Sequence, residues 1–490
     1  MSGRRPRDAG PQGRRCHLAV VPHAPLRAEG ASAVPGVGDT AVWSAPGARN
    51  PTRPQIEFAS FERLARTAER GLFDFLLLAE GLRLPEHRGR VHDVDVTGRP
   101  EPLTVLNALA GVTADLGLVA TVDAAFHEPF DLARRLATLD HLSGGRAGWH
   151  VVTTSDALTG GNFRRGAYLG AADRHHRAAE FVATASQLWD SWTPDAGPRP
   201  FAHRGPHFDI AGEFTLPRSP QGRPVVIRTV DPVNGSGEEG RGQDAPGRDD
   251  RESAAATADV VLTRHDTPEA GRARYADLKG RLAGYGREPG ELRIMSAITV
   301  VLGDTAAEAQ ERAATIRRQQ VSPRHALLAL ERLWGRDLSA YDPDGPLPGL
   351  DPVPEPLTGP PAGGRTRRGQ ALATVRRLRA LSQEKGLSIR QTVIETTARQ
   401  SFVGTPEAVA ADLAELVREE ATDGFVLVPQ LVPEGLDEFV DRVVPLLQEH
   451  GVFRTEYEPG TLRSRLGLPA PVAVQDGAAR RPLRPLGPQG

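Results

Sequence analysis

A single cysteine, Cys16, in 490 residues excludes a disulfide within the chain and any cysteine-built metal cluster. No stretch approaches the roughly 18 consecutive apolar residues that a membrane span needs. Charge of one sign is also missing: the net charge is −2, so neither nucleic acid nor an anionic membrane is favoured as a partner. Met1 to Arg15 is basic but has no apolar segment behind it, so no secretory signal is expected and the expected location is cytoplasmic. Lysine is nearly absent. Lys279 and Lys385 are rare exceptions among cations that are otherwise arginine, which together with abundant Ala, Gly and Pro reflects GC-rich coding rather than chemistry.

Several catalytic signatures are lacking as well. No GxGxxG follows an early strand, no GxSxG elbow or GxxxxGK[ST] loop occurs, and His127 and Glu128 in FHEPF do not have HExxH spacing. No spacing of His and Asp recommends a metal site.

What remains is the composition of a soluble globular protein, 39% hydrophobic and 25% charged. The length allows one large α/β domain or two or three ordinary ones. Residues 1–15 and 472–490, rich in Pro, Arg and Gly, are expected to be disordered tails around a single unit at 16–471. Within it, apolar runs alternate with amphipathic stretches. Strands are expected at His17–Pro22, Phe73–Glu80, Gly117–Asp123, Arg146–Thr154, Val225–Val230, Val260–Thr263, Leu292–Leu302 and Gly424–Pro429. Helices are expected at Phe61–Arg70, Leu103–Thr113, Asp131–Leu142, Arg174–Trp192, Glu252–Ala258, Thr267–Leu282, Pro406–Glu419 and Leu436–Glu449. Strands without polar alternation belong to parallel sheets covered on both faces. Eight of them favour a (β/α)8 TIM barrel over a doubly wound sheet, with the site at the strand C-termini.

Two segments interrupt the pattern. Residues 231–250 form a long polar, Gly-rich loop insertion. Residues 321–400, before the last βα unit, combine a Pro-rich stretch (342–361) with a helical run (370–395). The second reads either as a lid over the site or as an inert surface insert.

The segment LDHLSGGRAGWHVVTTSDALTGGNF, from Leu139 to Phe163, is the most informative. It passes from a helix end through a Gly-rich turn into a strand that stops in Thr153, Thr154, Ser155 and Asp156, small polar residues suited to a ligand lip. This segment, with FDFLLLAE (73–80), EPLTVLNALA (101–110), WDSW (189–192), GTPEAVAADLAEL, DGFVLVPQLVPEGLDEFVDRVVPLLQEHG and YEPGTLRSRLGLPAP (457–471), resembles the bacterial-luciferase-like flavin-dependent monooxygenases. The resemblance is to the group of nitrilotriacetate, dibenzothiophene-sulfone and long-chain-alkane monooxygenases together with the streptogramin-synthesising oxidases, and it runs from His17 to Pro471.

That resemblance implies a barrel binding FMN, delivered reduced by a separate NAD(P)H:flavin reductase that associates transiently. It also implies reaction with O2 to a C4a-peroxyflavin and insertion of one oxygen atom into a small organic substrate. Homo-oligomerisation is left open by it, and so is the substrate. Carried over by position, the implied flavin contacts are Glu80, Thr121, His150, Thr154, Ser155, Arg174, His175 and Val230, with Gly235, Ser236 and Gly237 as the phosphate loop. His150 and His175 are the candidates for a catalytic role as donors.

The chain departs from the family pattern at the pocket. Glu80 stands for Asp, His150 for Asn and His175 for Tyr, while Arg228, Thr229 and Val230 replace Gln-Ala-Gly. Two other readings therefore stay open: an F420-dependent oxidoreductase of the same superfamily, and a non-catalytic paralogue with a degenerate pocket.

Overall fold

The computed structural model describes residues 15–22, 56–80, 82, 100–153, 171–193, 197–230, 248–264, 267–353, 364–397 and 401–471. Eight strands close into a parallel barrel in chain order: β1 (His17–Val20), β2 (Phe75–Leu78), β3 (Gly117–Asp123), β4 (Ala147–Val152), β5 (Val225–Val230), β6 (Val260–Thr263), β7 (Arg293–Ile298) and β8 (Gly424–Leu427). Closure is made by β1, which pairs Ala19 with Phe75 on one side and His17 with Gly424 on the other. The expected barrel is therefore the observed one, and each expected strand contains one barrel strand.

The helices follow the strands: α1 (Phe58–Arg70), α2 (Pro102–Ala110), α3 (Pro129–Leu142), α4 (Ala171–Asp190), α5 (Arg248–Thr257) and α6 (Pro268–Arg281). In α1, Phe61, Leu64, Ala65 and Ala68 recur at helical spacing and are buried against the sheet. Side chains of alternate strand residues point into the lumen, where Ala19, Phe75, Leu77, Val119, Val225, Ile227, Leu262, Met295 and Val426 pack together. Leu462, Leu466 and Leu468, from the C-terminal segment, complete this cluster from the N-terminal end of the barrel. The short helix 462–465 is tied there by Leu462 N–H donating to Gly145 O at 2.9 Å. Leu462→Ala is expected to lower the denaturation midpoint by the equivalent of about 2–5 kcal/mol, measured by urea unfolding.

The Gly-rich turn after α3 explains its own sequence. Gly144 and Gly145 have φ of 67° and 91°, conformations that favour glycine. A Cβ on Gly145 would lie 2.6 Å from Thr461 Cγ2, and one on Gly148 2.8 Å from Val119 Cγ2. Asp140 accepts from Ala147 N–H at 3.0 Å and from Gln221 Nε2 at 2.6 Å, and burial pushes its carboxyl up to about 6. Arg146 is buried and spends all its N–H donors on neutral oxygens. Nε donates to Ser143 O, Nη1 to Thr113 Oγ1 and Leu116 O, and Nη2 to Ala110 O and Thr113 O, at 2.7 to 3.2 Å. Trp149 turns outward against Phe181 and Trp189.

Three expected elements, two helices and a strand, need correction. The run 370–395 is two helices, α9 (Gly364–Lys385) and α10 (Ile389–Thr397), because Gly386 turns with φ 64° between them. The run 436–449 divides into α12 (Glu434–Arg442) and α13 (Val444–Glu449), with Pro445 unable to extend the first helix. The strand expected at 292–302 is also two: β7, then Val300–Leu302, which leaves the barrel and pairs in parallel with Phe402–Gly404.

That small pairing joins the two ends of the large insertion. It contains α7 (Ala306–Gln320), α8 (Pro323–Trp334), α9 and α10. Ala326, Leu330, Trp334, Val375, Leu378, Ile389 and Val393 give it a hydrophobic cluster separate from the barrel's. The helix α11 (Pro406–Arg418), capped by Thr405 Oγ1, then leads into β8. The polar insertion at 231–250 lies outside the described residues except for its last three.

Candidate active site at the C-terminal mouth of the barrel

Three polar side chains sit where the apolar lumen ends. Thr121 follows Val119 on the inward face of β3, and Thr229 follows Ile227 on that of β5. Between them, His150 follows Gly148 on β4 and is in register with Thr121. Strand alternation thus brings all three into the lumen at one level. His150 Nδ1 lies 3.1 Å from Thr121 Oγ1, and Nε2 lies 2.8 Å from Thr229 Oγ1. His150 is only 2% exposed, whereas Thr229 is half-buried and faces the open end. Burial, aided by the nearby Arg228 guanidinium, holds the imidazole down to about 4. It is neutral at physiological pH, with one N–H and one bare nitrogen.

Thr229 was not among the expected contacts; its neighbour Val230 was. The side chain of Val230 turns away from the lumen and packs with Ala254, Ala255, Ala258 and Val261 beneath α5. Only the backbone of Val230 is left to meet a ligand. The alternation V-I-T at 225, 227 and 229 was the signal that would have identified Thr229. Arg228 also points outward. Its Nε donates to Thr257 Oγ1 at 3.1 Å, and burial lowers its guanidinium to about 10, so it stays charged.

Glu80 lies at the rim beyond β2. Its Oε2 accepts from Asp123 N–H at 3.0 Å and its Oε1 lies 3.0 Å from His127 Nε2. Burial pushes Glu80 up to about 8, against the opposing effect of the Asp123 N–H, while burial and Arg135 lower His127. The carboxyl and the imidazole lie within hydrogen-bond distance, and burial disfavours the charged form of each. Both oxygens of Glu80 are therefore engaged by the protein.

Arg177 is buried, while its neighbour His176 is exposed. Its Nε donates to Ala124 O at 3.3 Å and its Nη2 to His127 O at 3.2 Å, and its guanidinium lies over Phe208, 4.2 Å from the ring centroid. The cause is an antiparallel hairpin, Pro200–Arg204 with Asp209–Glu213, that covers α4 and that the sequence patterning missed. Glu180 on α4 holds this hairpin, accepting from His203 Nε2 at 2.9 Å and Phe208 N–H at 3.1 Å.

Arg174 and His175 lie in the first turns of α4, but their side chains are not among those described. Thr154, Ser155, Gly235, Ser236 and Gly237 fall outside the described residues. Among the described residues no group of His, Cys, Asp and Glu could hold a metal ion, and no helix is long and apolar enough to cross a membrane.

The donor set suits a flat neutral heterocycle. It offers hydroxyls and a neutral imidazole above an apolar floor, and among the described residues no carboxylate stands with them at that level.

The luciferase-like monooxygenase family model matches residues 40–241 and 243–423. N-acetyl-S-(2-succino)cysteine monooxygenase of Bacillus subtilis (strain 168) is 37% identical over 450 residues, covering 88% of this chain and 94% of that relative. Nitrilotriacetate monooxygenase component A of Aminobacter aminovorans is 36% identical over 455 residues, covering 88% and 93%. Among solved structures, a riboflavin lyase with modified FMN and riboflavin superposes with a TM-score of 0.71 at 25% identity, covering 93% of this chain and 96% of that one.

Proposed function

This chain belongs to the luciferase-like monooxygenase family, and from that premise we propose that it is the oxygenase component of a two-component, FMNH2-dependent monooxygenase. The observation that carries the proposal is the polar triad Thr121–His150–Thr229 at the C-terminal mouth of a lumen that is otherwise apolar. Bound reduced FMN would supply the oxygen-activating chemistry, by which one atom of O2 enters a small organic substrate.

The protein's share is to bind, orient and keep water out. Thr121 and Thr229 would hold the polar edge of the flavin ring. His150, neutral and hydrogen-bonded at both nitrogens, fixes the two hydroxyls and adds no charge beneath it. Below the triad the lumen is packed with apolar side chains, which leaves little room for water. At the rim, Glu80 and His127 form a hydrogen-bonded acid–base pair in which burial disfavours charge on either partner. The insertion between β7 and β8 springs from the strand end of the same face, which supports its reading as a lid.

The name of the Aminobacter relative, a component A, supports a separate reductase as transient partner. Anaerobic fluorescence-quench titration with oxidised and dithionite-reduced FMN tests the proposal. Saturable binding with the reduced form tighter is expected. Binding of neither form would overturn it, and saturable binding of F420 instead would identify the deazaflavin enzyme.

A further inference from the structure

Resting on the flavin reading above, we propose that Thr229, acting through His150, is a reversible hydrogen-bonding group that lets one site accept a ring nitrogen both bare and as N–H. Oxidised and reduced flavin differ in just this way at N5, which accepts a hydrogen bond when oxidised and donates one when reduced.

The argument is a count of hydrogens. Neutral His150 has one N–H, and each of its nitrogens faces one threonine hydroxyl, at 3.1 and 2.8 Å. With the proton on Nε2, the imidazole donates to Thr229 Oγ1 and accepts from Thr121 O–H at Nδ1. The hydrogen of Thr229 is then free to donate into the mouth of the barrel. With the proton on Nδ1, His150 donates to Thr121 and accepts from Thr229 O–H, so Thr229 presents only lone pairs. The two arrangements use the same heavy-atom positions. Thr121 and Thr229 have no other hydrogen-bond partner among the described residues, so nothing else fixes their direction. Among the described residues His150 has no carboxylate partner either. The charged group that bears on it is Arg228, which disfavours imidazolium and keeps the reversible neutral form. An asparagine here could not do this, because its amide has one fixed donor end and one fixed acceptor end.

Thr229 is thus a positioning residue whose hydrogen-bonding sense is set by the ligand. The test is long-range 1H–15N spectroscopy of 15N-histidine-labelled protein, with His150→Asn identifying the signal. Nε2–H is expected with saturating oxidised FMN and Nδ1–H with reduced FMN. Thr229→Val, which keeps the shape, is expected to weaken both forms by about fivefold, one lost hydrogen bond, and to abolish the tautomer change. Thr229→Ser is expected to restore both. The same tautomer in both loaded states, or an imidazolium in either, overturns the reversible relay while leaving flavin binding intact. Failure of the wild-type protein to bind flavin at all overturns the underlying function, and the relay with it.

Discussion

Arg146→Lys is expected to destabilise the protein by about 2–6 kcal/mol, from roughly two stranded buried acceptors at 1–3 kcal/mol each. The guanidinium satisfies five acceptors at once, drawn from the ends of α2 and α3 and the turn before β3. A lysine has three donors on one atom and cannot reach them all. The same turn is gripped from its other side by Glu69, whose Oε1 accepts from the N–H groups of Ala114, Asp115 and Leu116. Urea unfolding followed by circular dichroism measures the loss. A variant within about 0.5 kcal/mol of wild type, the ordinary range for a surface change, would show that the cluster does not carry this weight.

Glu80→Gln is expected to flatten the dependence of stability on pH between about 5 and 8. In the folded protein burial raises Glu80 above its ordinary range, to about 8. Between the two values the folded form keeps a proton that the unfolded chain has lost, so stability falls as pH rises. The interval from 4.5 to about 8, at roughly 1.4 kcal/mol per unit, sets a ceiling near ~5 kcal/mol. Glutamine keeps the geometry of the neutral acid: its carbonyl can accept from Asp123 N–H and its amide can donate to His127 Nε2. His127, Asp123, Glu101 and Arg135 surround the group and are common to both proteins. Denaturation midpoints at pH 5 and pH 8 decide it, and parallel profiles for the two proteins would show that Glu80 is ionised throughout.

The barrel was legible because its strands are apolar on both faces and its helices keep a strong period, and both signals survive without knowledge of tertiary contacts. Thr121 and His150 were found through family resemblance and lie together in the lumen. Thr229 was passed over in favour of Val230, although alternation along the strand separates the two. The burial of Arg177 could not be read, because it depends on a hairpin made of residues such as Pro200, His203 and Gly212, whose pattern resembles a loop. Breaks at Gly386 and before Pro445 were visible as residues but outweighed by the helical period on either side. Glu80 was read as a flavin contact, whereas its partners Asp123 and His127 are set by the β2–β3 seam, more than forty positions away in sequence.

The parallel pairing of Val300–Leu302 with Phe402–Gly404 has an evolutionary consequence. Whatever lies between these strands enters and leaves the barrel through one doorway, with its own core to fold around. Its length is almost invisible to the rest of the molecule, since doubling a closed loop costs only about 0.6 kcal/mol. Such a cassette can be lengthened, shortened or exchanged while every barrel register stays where it is. With the insertion as the proposed lid, the chemistry at the strand ends and the choice of molecule admitted to it would change independently of one another.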